Sequence, residues 1–161
     1  MPSRNEIIDV VLYSIQSNNW KIGDFGLVTT GNSISPRTTL YSNGTEGYRA
    51  PELLELDKCT FTNKVDIWAM GCLFYELIYC RKTFSTDWAT HQYARRTPPV
   101  PLTLEFDIGR PGVIFKSKLS RKFVTEIVLD MLQIDPVTRP AARDILQKLV
   151  TVNYLELITA D

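Results

Sequence analysis

The chain has 161 residues, enough for one domain with its own core, and its 44% apolar and 22% charged content excludes a disordered or fibrous protein. Lysine plus arginine number 18, as do aspartate plus glutamate, which excludes the one-sided field expected of a nucleic-acid or anionic-membrane binder. The cysteines, Cys59, Cys72 and Cys80, lack CxxC spacing and have only His91 to join them, so unpaired buried thiols are expected instead of a metal site.

Residues 6–15 (EIIDVVLYSI) are rich in β-branched side chains and read as a strand or a short helix; periodicity does not decide between them. A turn is predicted over 16–19 (QSNN) and a short strand over 20–23 (WKIG). From 27 to 47 the chain is Ser, Thr, Asn and Gly with few apolar anchors, the pattern of a long functional loop. A short helix is predicted over 50–56 (APELLEL), with Pro51 near its first turn. Residues 65–80 (VDIWAMGCLFYELIYC) are apolar almost all round and predict a central helix, capped by Asn63 or Asp66. Another helix is expected over 87–96, after which TPPVPL (97–102) forbids regular structure. Leu119, Phe123, Ile127 and Met131 form the stripe of an amphipathic helix, and IDPVTRP (134–140) breaks it. A last helix follows, with Ile145, Leu146 and Leu149 as its expected buried face. No basic start leads an apolar core at the N-terminus, and the longest apolar run, 67–79, contains Glu76 and is too short for a bilayer. A cytoplasmic or nuclear soluble protein is expected.

Within WKIGDFGLV (20–28) one carboxylate, Asp24, stands between two glycines and is followed by the apolar Phe25 and the flexible Gly26. Carboxylate oxygens are hard ligands suited to Mg²⁺, which clamps nucleotide phosphates, but a lone turn carboxylate between glycines is more often plain turn chemistry. Further along stand GTEGYRAPE (44–52), DIWAMG (66–71) and MLQIDPVTRP (131–140). In this order and spacing the set resembles the eukaryotic protein kinase family, specifically its C-terminal lobe, over about residues 20–150.

The resemblance implies a mainly α fold, a kinase-like C-terminal lobe with a short β element at its start. It divides the chain into an atypical lead-in (1–19), a partial kinase domain (20–150) and a tail (151–161). It makes Asp24 the Mg²⁺ ligand of the DFG and Ala50-Pro51-Glu52 the end of the activation segment. Arg139 becomes the partner of Glu52, in a buried or half-buried ion pair. Thr45 and Tyr48 match the serine/threonine type, with the Thr45 hydroxyl helping to select a hydroxyl substrate. Asp66 has two readings, a helix N-cap or an acceptor of backbone N–H groups from the catalytic loop. Trp68 and Gly71 are expected to pack. Thr38, Thr39 and Ser42 lie in the loop as candidate phosphate acceptors.

Phosphoryl transfer also needs a glycine-rich loop, a strand lysine paired with a helix glutamate, and a catalytic-loop aspartate and asparagine. The eight glycines nowhere form GxGxxG, and His91 is followed by Gln92, so there is no HRD. Arg143-Asp144 lies beyond the APE and reads as surface charge. Where the catalytic loop is expected stands MPSRNEIIDVVLYSIQ; matching Asn5 to the second metal ligand leaves 19 residues to Asp24, more than the family pattern has. Mg²⁺ and ATP are thus the cofactors the resemblance implies, in a chain without the groups that make them useful. The expectation is a partial serine/threonine kinase domain, inactive alone and acting on or through a protein substrate or partner kinase, with no nucleic acid or membrane. The alternative is a non-catalytic lobe that serves as a protein-binding module. No catalytic base is identified in the sequence.

Overall fold

The computed structural model describes residues 11–23, 25–28, 35–40, 43–55, 58–96 and 118–158. The chain divides into two compact units, Met1–Thr30 and Gly31–Asp161.

In the first unit, β1 (Val11–Ser14) and β2 (Asn19–Ile22) pair antiparallel, Val11 opposite Ile22 and Ser14 opposite Asn19. The strand reading of 6–15 therefore holds over 11–14, and the rest of that stretch lies outside the described residues. Asn18 takes the left-handed conformation (φ 51°) that closes the turn, a conformation asparagine tolerates better than most residues. The Ser17 N–H donates to Ser14 Oγ at 3.4 Å across it. Beyond β2, Phe25–Leu27 make a single 3₁₀ turn, with Val28 N–H donating to Phe25 O at 3.1 Å.

The second unit opens with a departure from expectation. Arg37–Thr39, inside the predicted loop, form strand β3, paired antiparallel with β4 (Cys59–Phe61) in the register Thr38 opposite Thr60. Threonines fit a pleated ribbon, but a three-residue strand leaves too little pattern to be read from one sequence. The helix predicted over 50–56 is one 3₁₀ turn, Pro51–Leu53, closed by Leu54 N–H on Pro51 O at 3.0 Å.

Among the described residues four helices follow: α1 (Lys64–Tyr79), α2 (Asp87–Arg95), α3 (Lys118–Met131) and α4 (Ala142–Ile158). Helix α1 is central, as its composition predicts, with Ile67, Trp68, Gly71, Cys72, Tyr75, Ile78 and Tyr79 buried. It ends on Cys80 in the left-handed conformation (φ 52°), the usual helix stop supplied here by a non-glycine residue. That position puts Cys80 at the surface, so only Cys59 and Cys72 are the buried thiols expected of all three.

Two apolar clusters flank α1. On one side Trp68 stacks on Phe84 (centroids 5.6 Å apart, planes within 7°), and Tyr93 of α2 closes the group. On the other, Ile67 meets Ile127 and Met131 of α3 and Ile145 of α4, with Met70, Phe74, Val124 and Leu149 packed around them. The stripe read on α3 thus reaches the core through Ile127 and Met131, while Phe123 is 38% exposed. Leu146, expected on the buried face of α4, is 63% exposed. Its neighbours Ile145 and Leu149 fill the four-residue spacing, and Leu146 falls one position off it.

Candidate functional site

The residues 44–52 form a turn that the second unit holds from three directions. Thr45 O accepts from Tyr48 N–H at 3.2 Å, and Gly44 and Gly47 take positive φ of 99° and 81°. At Gly47 a Cβ would stand 2.7 Å from the Phe84 carbonyl oxygen, so glycine is required both by φ and by the approach.

The first hold is Asp87, in the opening turn of α2. Its Oδ1 accepts from Gly47 N–H at 3.0 Å and its Oδ2 from Arg49 Nη1 at 2.5 Å. Arg49 closes the ring by donating from Nε to Gly44 O at 2.8 Å. One carboxylate thereby fixes both a backbone amide and the guanidinium that ties back the start of the same turn. Helix α2 begins where it does because Thr86 Oγ1 accepts from Ala89 N–H at 3.3 Å, an N-cap that sets Asp87 on the first turn.

The second hold is the buried Tyr48, whose hydroxyl donates to the Glu76 carboxylate of α1 while Lys82 lies over its ring, 5.7 Å from the centroid. Burial, with the Glu76 hydrogen bond second, raises the phenol above its ordinary range. Next along, Ala50 is fully buried and leads into the 3₁₀ turn.

The third hold is Glu52. Arg139 Nη1 and Nη2 donate to Glu52 Oε1 and Oε2 at 2.7 and 2.8 Å, a two-pronged pair in which the arginine side chain has no exposure and the glutamate 13%. The remaining donors of Arg139 are also used: Nε to Gln133 O, Nη1 to Lys64 O and Nη2 to Ile134 O, at 2.8, 2.9 and 3.1 Å. All five N–H groups of the guanidinium are thus satisfied, and the group lies 5.0 Å from the centroid of the Trp68 ring. Asp135 prepares this geometry by capping the 3₁₀ turn Pro136–Thr138, accepting from Val137 N–H at 2.9 Å.

The other residues singled out by sequence are spread more widely. Asp24 and Ser42 lie outside the described residues; Phe25, 66% exposed, and Gly26 belong to the first unit. Thr45 is exposed at the tip of the turn, and Thr38 is exposed and Thr39 half-buried on β3. Asp66 sits in the first turn of α1, whose N-cap position belongs to Asn63 without a side-chain bond. Burial lifts the Asp66 carboxyl above its ordinary value although the residue as a whole is exposed; its backbone N–H donates to Asn63 O at 3.2 Å, and the carboxylate has no hydrogen-bond or ion-pair partner among the described residues. Trp68 is fully enclosed, and a Cβ on Gly71 would meet Met131 Cβ at 2.9 Å, so α1 and α3 touch through that glycine. Arg143 and Asp144 are exposed, Asp144 Oδ2 accepting from Ala141 N–H at 3.1 Å at the start of α4.

Arg49, Glu76 and Asp87 were not legible as site residues. Their partners lie far off in sequence, 38 residues for Arg49 and Asp87, and no local spacing marks such a pair. Among the described residues no group of three or more His, Cys, Asp or Glu side chains could hold a metal ion, and no helix is long and apolar enough to cross a membrane.

Comparison with known proteins adds the following. The protein kinase domain family model matches residues 9–150. Mitogen-activated protein kinase 5 of Oryza sativa subsp. indica is 30% identical over 145 residues, which cover 88% of this chain and 37% of that protein. The probable serine/threonine-protein kinase nek3 of Dictyostelium discoideum is 34% identical over 137 residues, covering 84% of this chain and 11% of that protein. Serine/threonine-protein kinase plk-1 of Caenorhabditis elegans is 32% identical over 125 residues, covering 78% and 17%. The matched part of the chain therefore spans between 11% and 37% of the length of these relatives.

Proposed function

This chain belongs to the protein kinase family, and from that premise we propose that it is the activation-segment and substrate-docking part of a serine/threonine protein kinase domain. The observation that carries the reading is the Glu52–Arg139 pair, which anchors the end of the 44–52 turn to the chain between α3 and α4. A turn held there, by Asp87 and by Glu76 presents the exposed Thr45 hydroxyl in a fixed place. In the family reaction Mg²⁺-bound ATP gives its γ-phosphoryl to a protein hydroxyl, and positioning with electrostatic stabilisation does most of the work. Assigning Asp24 to the metal, and Thr38, Thr39 or Ser42 to regulatory phosphate, rests on the sequence motif and on the loop that carries them.

Within the 161 residues there is no glycine-rich phosphate loop and no HRD aspartate, so the isolated chain is expected to transfer no phosphate. Two measurements test the reading. Sequencing the transcript upstream of Met1 is expected to find an in-frame extension with an HRD motif, a strand lysine and a glycine-rich loop. A stop codon directly upstream, with the short protein confirmed by mass, would leave the non-catalytic binding lobe as the better description. The purified chain, given Mg²⁺, labelled ATP and casein or histone, is expected to match its Asp24→Ala variant. Transfer above that variant would show a complete catalytic site and overturn the claim of inactivity.

A further inference from the structure

The two ends of the second unit's long loop are fastened differently. Its 44–52 part has three holds, on Asp87, Glu76 and Arg139, and none of those residues lies on β3 or β4. The part before it is joined to the unit through β3, which pairs with β4 over three residue pairs. That sheet has only these two strands, and a two-stranded ribbon is marginal in water.

The strands also differ in what ties each of them down. On β4, Cys59 is 3% exposed and its thiol donates to Leu53 O and Glu55 O at 3.3 and 3.4 Å. From Phe61 the chain runs almost directly into α1, where Lys64 N–H donates to Thr62 Oγ1 at 3.3 Å and Lys64 O accepts from Arg139. β3 buries far less. Arg37 and Thr38 are exposed, Thr39 is half-buried, and Leu40 beyond it is 75% exposed. Withdrawing β3 therefore gives up the ladder and the Thr39–Cys59 pairing but takes no residue of its own out of the core. Segments with few buried apolar groups are the ones that open at low free energy. On the outer face Thr38 stands opposite Thr60, both exposed, a β-branched pair of the kind that supports a sheet from its surface.

We propose that β3 is a latch. It closes on β4 to pin residues 37–39 to the second unit, and it opens alone while the 44–52 turn stays seated. Opening frees the stretch carrying Thr38 and Thr39 for a modifying enzyme, whose cleft needs that stretch released from β4, without moving the turn that presents Thr45. That use rests on reading the two threonines as phosphate acceptors; the latch itself does not, and its test involves no phosphate.

The test is a native-state digest of the full 161-residue chain with dilute trypsin, each cut followed by mass spectrometry and divided by its rate in the urea-unfolded chain. Cleavage after Arg37 reads the latch, after Arg49 the turn, and after Lys64 the helix α1. At low protease these rates follow the population of each open form. Arg37 is expected to be cut more slowly than in the unfolded chain, yet at least about tenfold faster, on that relative scale, than Arg49 or Lys64. Low urea is expected to change the Arg37 rate little and to raise the other two steeply, because local opening exposes little surface. Thr60→Gly is expected to speed the Arg37 cut about fivefold to tenfold, leaving Arg49 and Lys64 unchanged. Thr60→Val, which keeps the β-branched pair, is expected to behave as wild type. Equal relative rates at the three sites would overturn the proposal, since the ribbon would then open only with the whole unit. An Arg37 rate equal to that of the unfolded chain would show that nothing is latched. No effect of Thr60→Gly at Arg37 would mean that β4 does not hold β3. An equal effect at Arg49 would make ribbon and turn a single unit.

Discussion

Arg139 shows how much one side chain can be made to carry. It is 1% exposed, spends five donors on one carboxylate and three backbone carbonyls, and its own carbonyl accepts from Lys64 Nζ. A buried charge of this kind gains little over a well-packed apolar substitute, but removing one partner strands the other. Glu52→Gln leaves the guanidinium opposite a neutral amide, and Arg139→Ala removes a donor from three carbonyls and both donors from the Glu52 carboxylate. Arg139→Ala is expected to cost about 3–5 kcal/mol. Arg139→Lys is expected to recover only a minor part, because an ammonium has three donors and no planar fork. Urea unfolding followed by circular dichroism measures both. A lysine variant as stable as wild type would show that charge alone, without the fork, holds the 44–52 turn.

At the scale of elements, the close approach of α1 to α3 depends on Gly71. The Cβ of an alanine there would stand 2.9 Å from Met131 Cβ and 3.0 Å from Leu132 Cδ2. Alanine is the better helix former by about 1 kcal/mol, whereas forcing a methyl into a packed contact costs about 1–3 kcal/mol. Met131 Cβ is bound to the α3 backbone and cannot swing aside, so packing is expected to win and Gly71→Ala to lower the urea midpoint. A raised midpoint would mean that α3 slides freely over α1. This balance also marks what a sequence can disclose. The apolar run 65–80 announced a central helix, and α1 occupies Lys64–Tyr79, because burial of nearly a whole helix is written in its composition. The β3–β4 pairing was not legible: three-residue strands carry no period, and nothing local ties Thr38 to Thr60. Glu52 and Arg139, 87 residues apart, were legible only through the family's motif order. Asp87 had no motif to announce it. Leu146 and Cys80 were misplaced for a simpler reason, since an apolar side chain at the surface costs little and leaves no mark on the pattern.

At the scale of the whole molecule, the second unit is expected to be fragile toward base. Cys72 is 1% exposed, and burial pushes its thiol from an ordinary 9.0 up to about 12. Tyr48, ordinarily at 10.0, is raised by burial and then by its bond to Glu76. In both cases the folded state holds the proton more tightly than the unfolded chain. The stability this confers is complete below the unfolded values and is lost as pH climbs past them, first for the thiol above 9.0 and then for the phenol above 10.0. Each such group contributes a slope of about 1.4 kcal/mol per pH unit once its unfolded form has ionised. The Glu76 carboxylate adds to the Tyr48 effect, because a phenolate facing it would be repelled as well as desolvated. Urea-unfolding free energies between pH 8 and 10.5 are therefore expected to fall with increasing steepness. Cys72→Ala is expected to be less stable at pH 8, through the cavity it leaves, yet to decline less steeply above pH 9 by about 1.4 kcal/mol per unit. Tyr48→Phe is expected to flatten only the limb above pH 10, which separates the two groups by where the curves diverge. If both variants instead run parallel to wild type across the whole range, the protons lost on alkaline unfolding come from elsewhere, and Cys72 and Tyr48 are not its triggers.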